Sequence, residues 1–303
     1  MITKDLENFS QKIKGKIKFN YCLKKHTWLN IGGEAKIFFV PETLNELVEF
    51  LLYNKKKNEK FFVIGAGSNL LISENIKNRI FIKLGKNFNK ISLTKDNIVI
   101  AGCSILDKNL SEFACINHLS GFEFLSCIPG SIGGGIKMNA GCFGYEFKDI
   151  LLSVQVMDYY GKVYTINSSQ IKFDYRKTNL PENLIFLSAS FKALKKDKKA
   201  IEETIYKFKE KKKNSQPFRV KTGGSTFKNP KNQTDKKVWE LINESVDKEI
   251  CFGDAKISNK HSNFFINSNN ASFENMINLI NFVKQNVKEK TGISLELELE
   301  IIN

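Results

Sequence analysis

Three glycine clusters are the first candidates for holding a ligand: Gly65-Ala-Gly-Ser-Asn69, Gly130-Ser-Ile-Gly-Gly-Gly135 followed by Asn139-Ala-Gly141, and Gly223-Gly-Ser225. Glycine reaches positive φ and lets the main chain come close to a ligand, so successive N–H groups can converge on an anion such as a diphosphate. Any one cluster is equally well read as a tight turn; three, each with adjoining Ser or Asn, favour an anion site. None is a standard nucleotide loop. Leu70 stands where a dinucleotide fingerprint needs its third glycine, and Ile136 separates Gly135 from Lys137, which excludes a Walker A loop. No Gly-x-Ser-x-Gly hydrolase elbow occurs.

Side chains able to grip charge or move a proton are few. Arg79, Arg176 and Arg219 are the only arginines; a guanidinium suits planar recognition of a carboxylate, and the plain alternative is a surface ion pair. Ser225 sits in Gly-Gly-Ser-Thr, by itself more often a turn than a site, and its hydroxyl is a weak acid that needs help from neighbours. Glu296, Glu298 and Glu300 alternate with Leu295, Leu297, Leu299 and Ile301. As a strand this places all three carboxylates on one face, which reads as a solvated face or as a cluster whose like charges raise each other's pKa. The six cysteines form no Cys-x-x-Cys, and His26, His118 and His261 have no zinc-site spacing to them. They read as reduced structural thiols, with Cys127 and Cys142 the alternatives for a nucleophile.

These groups need elements to position them. Leu44, Leu47, Val48, Leu51 and Leu52 share a helical face behind a Thr43 N-cap, in a helix running into Lys55-Lys56-Lys57. A short buried strand over residues 61–64 feeds the first glycine cluster. Strands are expected at 79–84 and 98–101, a helix over 106–118, and strands at 150–158, 161–166 and 184–191, the first two of these joined as a hairpin. Residues 128–144 read as the least regular part. A helix over 200–213 leads to the third cluster. Another opens at Ser272, carries Phe273, Met276, Ile277, Ile280, Val283 and Val287, and stops at Gly292. A domain boundary falls near residue 198, where a charge run replaces the strand pattern.

Composition narrows the class. The chain has 303 residues, 42% of them hydrophobic, enough for two or three lobes around sizeable cores, so a disordered chain is excluded. The longest uncharged stretches, such as 61–73 and 124–136, are shorter than the roughly 18 residues a membrane helix needs. No secretory leader pattern opens the sequence, so a cytoplasmic location is expected. Against 32 acidic residues stand 47 basic ones, a formal charge of +15. A lysine-rich nucleic-acid binder is one reading of that excess. No stripe of basic and aromatic residues and no zinc-finger or RNP pattern supports it, and a surface that attracts anionic ligands is the milder one.

The residues resemble the UDP-N-acetylenolpyruvoylglucosamine reductase family. The resemblance is carried, in order, by Thr27-Trp-Leu-Asn-Ile-Gly-Gly33, Ile64-Gly-Ala-Gly-Ser-Asn-Leu-Leu71, Phe124-Leu-Ser-Cys-Ile-Pro-Gly-Ser-Ile-Gly-Gly134, Met138-Asn-Ala-Gly141, Asp174-Tyr-Arg176, Gly224-Ser-Thr-Phe-Lys-Asn-Pro230 and Leu295-Glu-Leu-Glu298. It spans residues 27–302 and matches the shorter type, without the tyrosine-bearing capping loop. Two positions depart from the pattern: Cys127 stands where the family has Gly, and Glu300 where it has Arg.

What this resemblance implies is an α+β protein. Residues 1–198 form a two-lobed FAD-binding module of the vanillyl-alcohol oxidase-like (PCMH) type, and residues 199–303 a smaller α/β substrate domain. FAD is the cofactor, with Gly65, Gly67, Ser68, Asn69, Pro129, Gly130, Ile132, Gly133, Asn139 and Gly141 around it. NADPH is the hydride donor, and UDP-N-acetylglucosamine enolpyruvate is reduced to UDP-N-acetylmuramate for peptidoglycan. Arg176 grips the substrate carboxylate, Ser225 donates the proton, and Glu298 assists at the enolate. Lys228 and Asn229 contact the UDP-sugar, Lys221 is a weaker candidate, and His261 is structural or lines the pocket. No metal, nucleic acid or membrane is implied, and a monomer is expected. A different FAD-dependent oxidoreductase of the same fold is the alternative reading.

Overall fold

The computed structural model describes residues 4–55 and 61–303. Lys56 and Lys57 of the expected lysine run lie outside them. The chain divides into two compact units. The first takes residues up to Tyr21, Ala35–Ala66 and Asn78–Glu210; the second takes Cys22–Glu34, Gly67–Lys77 and Lys211–Asn303. A single cut near 198 does not describe this division. It falls inside the 18-residue helix Lys198–Ser215, and two N-terminal excursions join the C-terminal residues.

In the first unit, Glu34–Val40, Ile80–Ile82 and Phe61–Val63 form neighbouring parallel strands of a four-stranded sheet. The helix Leu44–Lys55 follows; the Thr43 hydroxyl accepts from the Glu46 N–H at 3.2 Å, as the N-cap predicts. Its buried face is Leu47, Phe50 and Leu51 with Asn54, whereas Leu44 and Leu52 are exposed. The leucine pattern thus leans off the true stripe, because Phe50 supplies the larger apolar surface. A second sheet is antiparallel, in the order Val163–Asn167, Leu151–Asp158, Leu184–Lys192, Ile98–Gly102, Ile91–Leu93. The expected hairpin is its first pair. Leu187 and Ile185 pack into one apolar cluster and Ala189 and Phe191 into another, so its central strand is buried on both faces.

The second unit is built on the antiparallel order Lys221–Ser225, His261–Asn267, Ala255–Ser258, Cys251–Phe252. Helices Val238–Ser245 and Phe273–Thr291 cover its apolar side with Leu241, Ile242, Met276, Ile280, Val283 and Val287. A separate parallel pair joins Leu70–Ile72 to Glu300–Ile302. The tail before it is not one strand. Leu297 bridges Phe227, the chain bends at Leu299, and pairing resumes at Glu300. Leu295, Leu299 and Ile302 are buried in place of the strictly alternating set, and only Glu298 of the three glutamates is half-buried. Among the described residues, no helix is long and apolar enough to cross a membrane.

The helix Phe273–Thr291 has the ends its sequence announces. Ser272 accepts from the Asn275 N–H at 3.1 Å, and Gly292 closes the helix at φ 72°. Losing an N-cap costs about 1 kcal/mol. Ser272→Ala is therefore expected to lower unfolding stability by about that amount in a urea titration, and an unchanged midpoint would contradict this account of where the helix starts.

Candidate active site

The third glycine cluster works through two different constraints. At Gly223 a side chain would reach Leu299 Cδ1 at 2.5 Å, so the Leu299 side chain packs into the space that glycine leaves. Gly224 has φ +80°, a conformation L-residues avoid, and lies within a register shift between Thr222 and Ser225. Such a bulge re-aims the next side chain. Ser225 is half-buried, and its hydroxyl meets no partner among the described residues.

The segment after Ser225 is held from both sides. Buried Asn263 donates through Nδ2 to the Phe227 carbonyl at 2.8 Å and accepts from the Phe227 N–H at 2.9 Å, while its own carbonyl accepts from Thr226 N–H at 2.8 Å. On the other side, the Thr226 carbonyl accepts from Glu298 N–H at 2.9 Å and Leu299 N–H at 3.3 Å, and Lys228 N–H donates to Glu296 O at 2.9 Å. The structure therefore brings Ser225 and Glu298 onto adjoining, mutually bonded limbs. Asn263 was not singled out in the sequence. The available signal is an amide within a strand, directly before the apolar run Phe264-Phe265-Ile266, where strand propensity disfavours it.

Other candidates in this unit are already engaged. Asn229 Oδ1 accepts from the Val238 N–H at 3.1 Å, so it caps the following helix. Lys221 Nζ donates to Asn269 O at 2.6 Å. His261 Nδ1 accepts from Asn263 N–H at 3.3 Å and its ring meets Phe264 edge-on; burial pushes its pKa below the usual value, as befits a structural imidazole. Lys228 is half-buried.

Of the first cluster, Gly67 and Ser68 lie in this second unit. Gly67 has φ +70° and a side chain there would run into the His26 carbonyl; its own carbonyl accepts from Trp28 N–H at 3.0 Å. Asn69 Nδ2 donates to the Glu298 carbonyl at 2.9 Å. Gly65 and Ala66 follow the first unit's strand Phe61–Val63, and a side chain at Gly65 would meet Ser131 Oγ of the second cluster. The N–H groups of Gly65, Ala66, Gly67 and Ser68 meet no acceptor among the described residues.

The second cluster conceals a short helix, Ile132–Lys137, where residues 128–144 read as irregular. Its leading amides are spent: Ile132 N–H donates to Ile105 O at 2.9 Å and Gly133 N–H to Cys103 O at 2.8 Å. Neither can serve a ligand as a main-chain donor, and Pro129 has no N–H to give. Gly130 lies against the buried Asp107, where a side chain would reach Oδ2 at 2.5 Å. Burial pushes this carboxyl well above its usual range, and neither of its oxygens has a hydrogen-bond partner. Cys127 is buried, Cys142 Sγ donates to Phe124 O at 3.3 Å, and burial pushes the Cys103 thiol up. Burial keeps Cys103 and Cys127 from the accessible setting of a nucleophile. Among the described residues, no three His, Cys, Asp or Glu side chains cluster as metal ligands.

Arg176 belongs to the first unit. It has φ 57°, donates through Nη2 to the Gly141 carbonyl at 3.1 Å, and lies 4.9 Å over the Tyr175 ring. Asn139 is fully buried and spends Nδ2 on Glu146 Oε2 at 3.0 Å and Asp174 O at 3.3 Å, while Oδ1 accepts from Lys148 N–H at 3.1 Å. Its side chain thus supports the loop that carries Arg176. Glu146 also meets Lys148 Nζ at 2.7 Å.

The model of the "FAD binding domain" matches residues 35–167, and that of the "UDP-N-acetylenolpyruvoylglucosamine reductase, C-terminal domain" matches 216–302. A UDP-N-acetylenolpyruvoylglucosamine reductase of Pelagibacter ubique is 55% identical over 302 residues, 100% of both chains. The chain belongs to the UDP-N-acetylenolpyruvoylglucosamine reductase family. A Rickettsia bellii relative of the same name is 42% identical over 96% of this chain and 95% of its own. The crystal structure of the Thermus caldophilus UDP-N-acetylenolpyruvylglucosamine reductase superposes with a TM-score of 0.81 at 30% identity, covering 96% of this chain and 100% of that one. The fold is thus the family's α+β arrangement, an FAD-binding domain followed by the reductase C-terminal domain.

Glu146 offers a test of the loop around Arg176. Partial burial pushes its carboxyl up, but hydrogen bonds from Lys148 and Asn139 and the charges of Lys148 and Arg176 outweigh this and hold it below the ordinary 4.5. A carboxylate depressed in the folded state stabilises above its unfolded pKa, and that stability fades as pH falls through the folded value. Glu146→Gln should therefore lose stability relative to the unsubstituted chain at neutral pH, with the gap closing below pH 4.5. Urea midpoints across the acid range measure it, and a gap independent of pH would contradict it.

Proposed function

We propose that this family member reduces UDP-N-acetylglucosamine enolpyruvate to UDP-N-acetylmuramate with NADPH, using Ser225 as proton donor and Arg176 and Glu298 to stabilise the enolate. FAD, when bound, supplies the hydride chemistry, carrying the hydride of NADPH to the enolpyruvyl methylene carbon. The unengaged N–H groups of Gly65 and Gly67, with Ser68, suit its diphosphate, and Asn69, Gly130 and Gly141 complete the main-chain surface offered to it. Pro129, Ile132 and Gly133 contribute shape. In this reading residues 1–198 serve the flavin and 199–303 the substrate.

Hydride addition at the methylene carbon leaves negative charge on the neighbouring carbon and its carboxylate. The chain must hold that charge and deliver a proton to that carbon. Arg176 does the first, its guanidinium steadied by Gly141 and Tyr175. Ser225 does the second. Its conjugate base needs a neighbour to relay or share a proton, and Glu298 stands on the adjoining limb. Lys228 and Asn229 meet the UDP-sugar, Asn229 while also capping its helix. The observation that carries the reading is the Thr226 carbonyl, which ties the main chain next to Ser225, whose hydroxyl is unpartnered, to the main chain of Glu298, the only half-buried glutamate of the tail. The same reading places the enzyme in the cytoplasm as a monomer without nucleic-acid or membrane partners, feeding peptidoglycan synthesis and through it cell shape and division.

The two half-reactions separate the roles. In Ser225→Ala, oxidation of the reduced flavin by the enolpyruvyl substrate should fall by about 10²–10⁴-fold, the range for losing a general acid, against less than about threefold for its reduction by NADPH. Equal losses in stopped-flow traces of both halves would remove Ser225 from this role. Arg176→Lys keeps the charge but not the fork. It is expected to slow the substrate half by about 10²-fold while raising the half-saturating substrate concentration. An unaffected substrate half would send the carboxylate elsewhere.

A further inference from the structure

Asn69 is one of the residues grouped with the flavin, yet its side chain is turned to a different task. Its Nδ2 donates to the Glu298 carbonyl at 2.9 Å, and its own carbonyl accepts from Glu300 N–H at 3.0 Å. Directly beyond it, Leu70–Ile72 pairs in parallel with Glu300–Ile302, Leu70 opposite Glu300. Asn69 therefore brackets Glu298 at the open end of that short ladder. The other main-chain group of Glu298, its N–H, is held by the Thr226 carbonyl at 2.9 Å. Both polar groups of the peptide backbone at Glu298 are thereby fixed. One is tied to the limb of Ser225 and the other to the glycine loop.

We propose that Asn69 is a positioning residue for proton transfer: through the Glu298 carbonyl it sets the direction in which the Glu298 carboxyl leaves the main chain. The proposal rests on the role assigned to Glu298 above. The bond from Asn69 is the restraint on the side of Glu298 away from Ser225. Without it the Glu298 carbonyl loses its side-chain donor while Leu299 N–H and Glu300 N–H stay bonded to Thr226 O and Asn69 O, so the peptide after Glu298 can rotate between them and turn the carboxyl with it. Displacements of about 1 Å at a reacting group are worth as much as 10²-fold in rate. Because Asn69 acts through the main chain of another residue, its loss should be felt in one chemical step and not in ligand affinity.

The test uses the flavin-loaded full chain with Asn69→Ala, which removes the donor, and Asn69→Asp, which keeps the shape but sets an oxygen against the Glu298 carbonyl. Both variants are first checked for bound flavin by their visible spectrum. Stopped-flow traces then give the NADPH half, and the substrate half over a range of substrate concentrations. The expected result is a limiting rate of the substrate half reduced by about 10- to 100-fold, at least tenfold more than any loss in the NADPH half. The half-saturating substrate concentration should move less than about twofold, and Asn69→Asp should be no better than Asn69→Ala. Loss of bound flavin, equal slowing of both halves, a change confined to half-saturation, or recovery in Asn69→Asp would each overturn the role of Asn69. If the unsubstituted chain itself fails to pass its electrons to the enolpyruvyl substrate, the proposed function falls instead.

Discussion

The carbonyl oxygen of Thr226 accepts from two successive amides, Glu298 and Leu299, and the register of the second unit's two chemical limbs hangs on that atom. It is available because Gly224 bulges the chain just before it, and because Gly223 leaves room for Leu299 to approach. Asn263 completes the lock by lending the limb a hydrogen-bond pattern that a regular strand partner would otherwise supply. Thr226 is 2% exposed, so these bonds are made out of competition with water. Breaking one leaves a buried polar group unsatisfied, which costs more than the bond's net worth.

This lock explains why the tail does not run as the continuous strand its alternation suggests. A regular strand would give Glu296, Glu298 and Glu300 the same surroundings. The bend at Leu299 separates them and leaves Glu298 half-buried while its neighbours face solvent. Reaction chemistry that asks one carboxyl to behave differently from two others of the same kind is served by such a break. The same economy appears around Arg176, where Asn139 and Glu146 are spent on shaping the loop.

Much of this was legible in the sequence where the signal is local. Ser272 and Gly292 bound their helix as written, and the hairpin over residues 151–167 pairs as its strand pattern foretells. The glycine clusters were legible as special, but not the reason for each. Gly223 answers a side chain 76 positions away in sequence and Gly224 a dihedral angle. What stayed hidden depends on tertiary partners. Asn139, Asn229 and Lys221 have the chemistry of ligand contacts, and only the fold reveals the structural bonds that their side chains also make. The helix Ile132–Lys137 was hidden by glycines that disfavour it intrinsically, and carbonyls of Cys103 and Ile105 anchor its start. The division into units was invisible for the same reason, since residues 22–34 and 67–77 join the C-terminal part through contacts that no composition shift marks.

A single anaerobic turnover tests the account at its root. The purified, flavin-loaded chain is bleached with one equivalent of NADPH and then mixed with UDP-N-acetylglucosamine enolpyruvate. The account predicts that the visible flavin band returns in a substrate-dependent phase and that UDP-N-acetylmuramate forms in equal amount. A chain that binds no flavin, or a bleached flavin that the enolpyruvyl substrate leaves bleached, would contradict it.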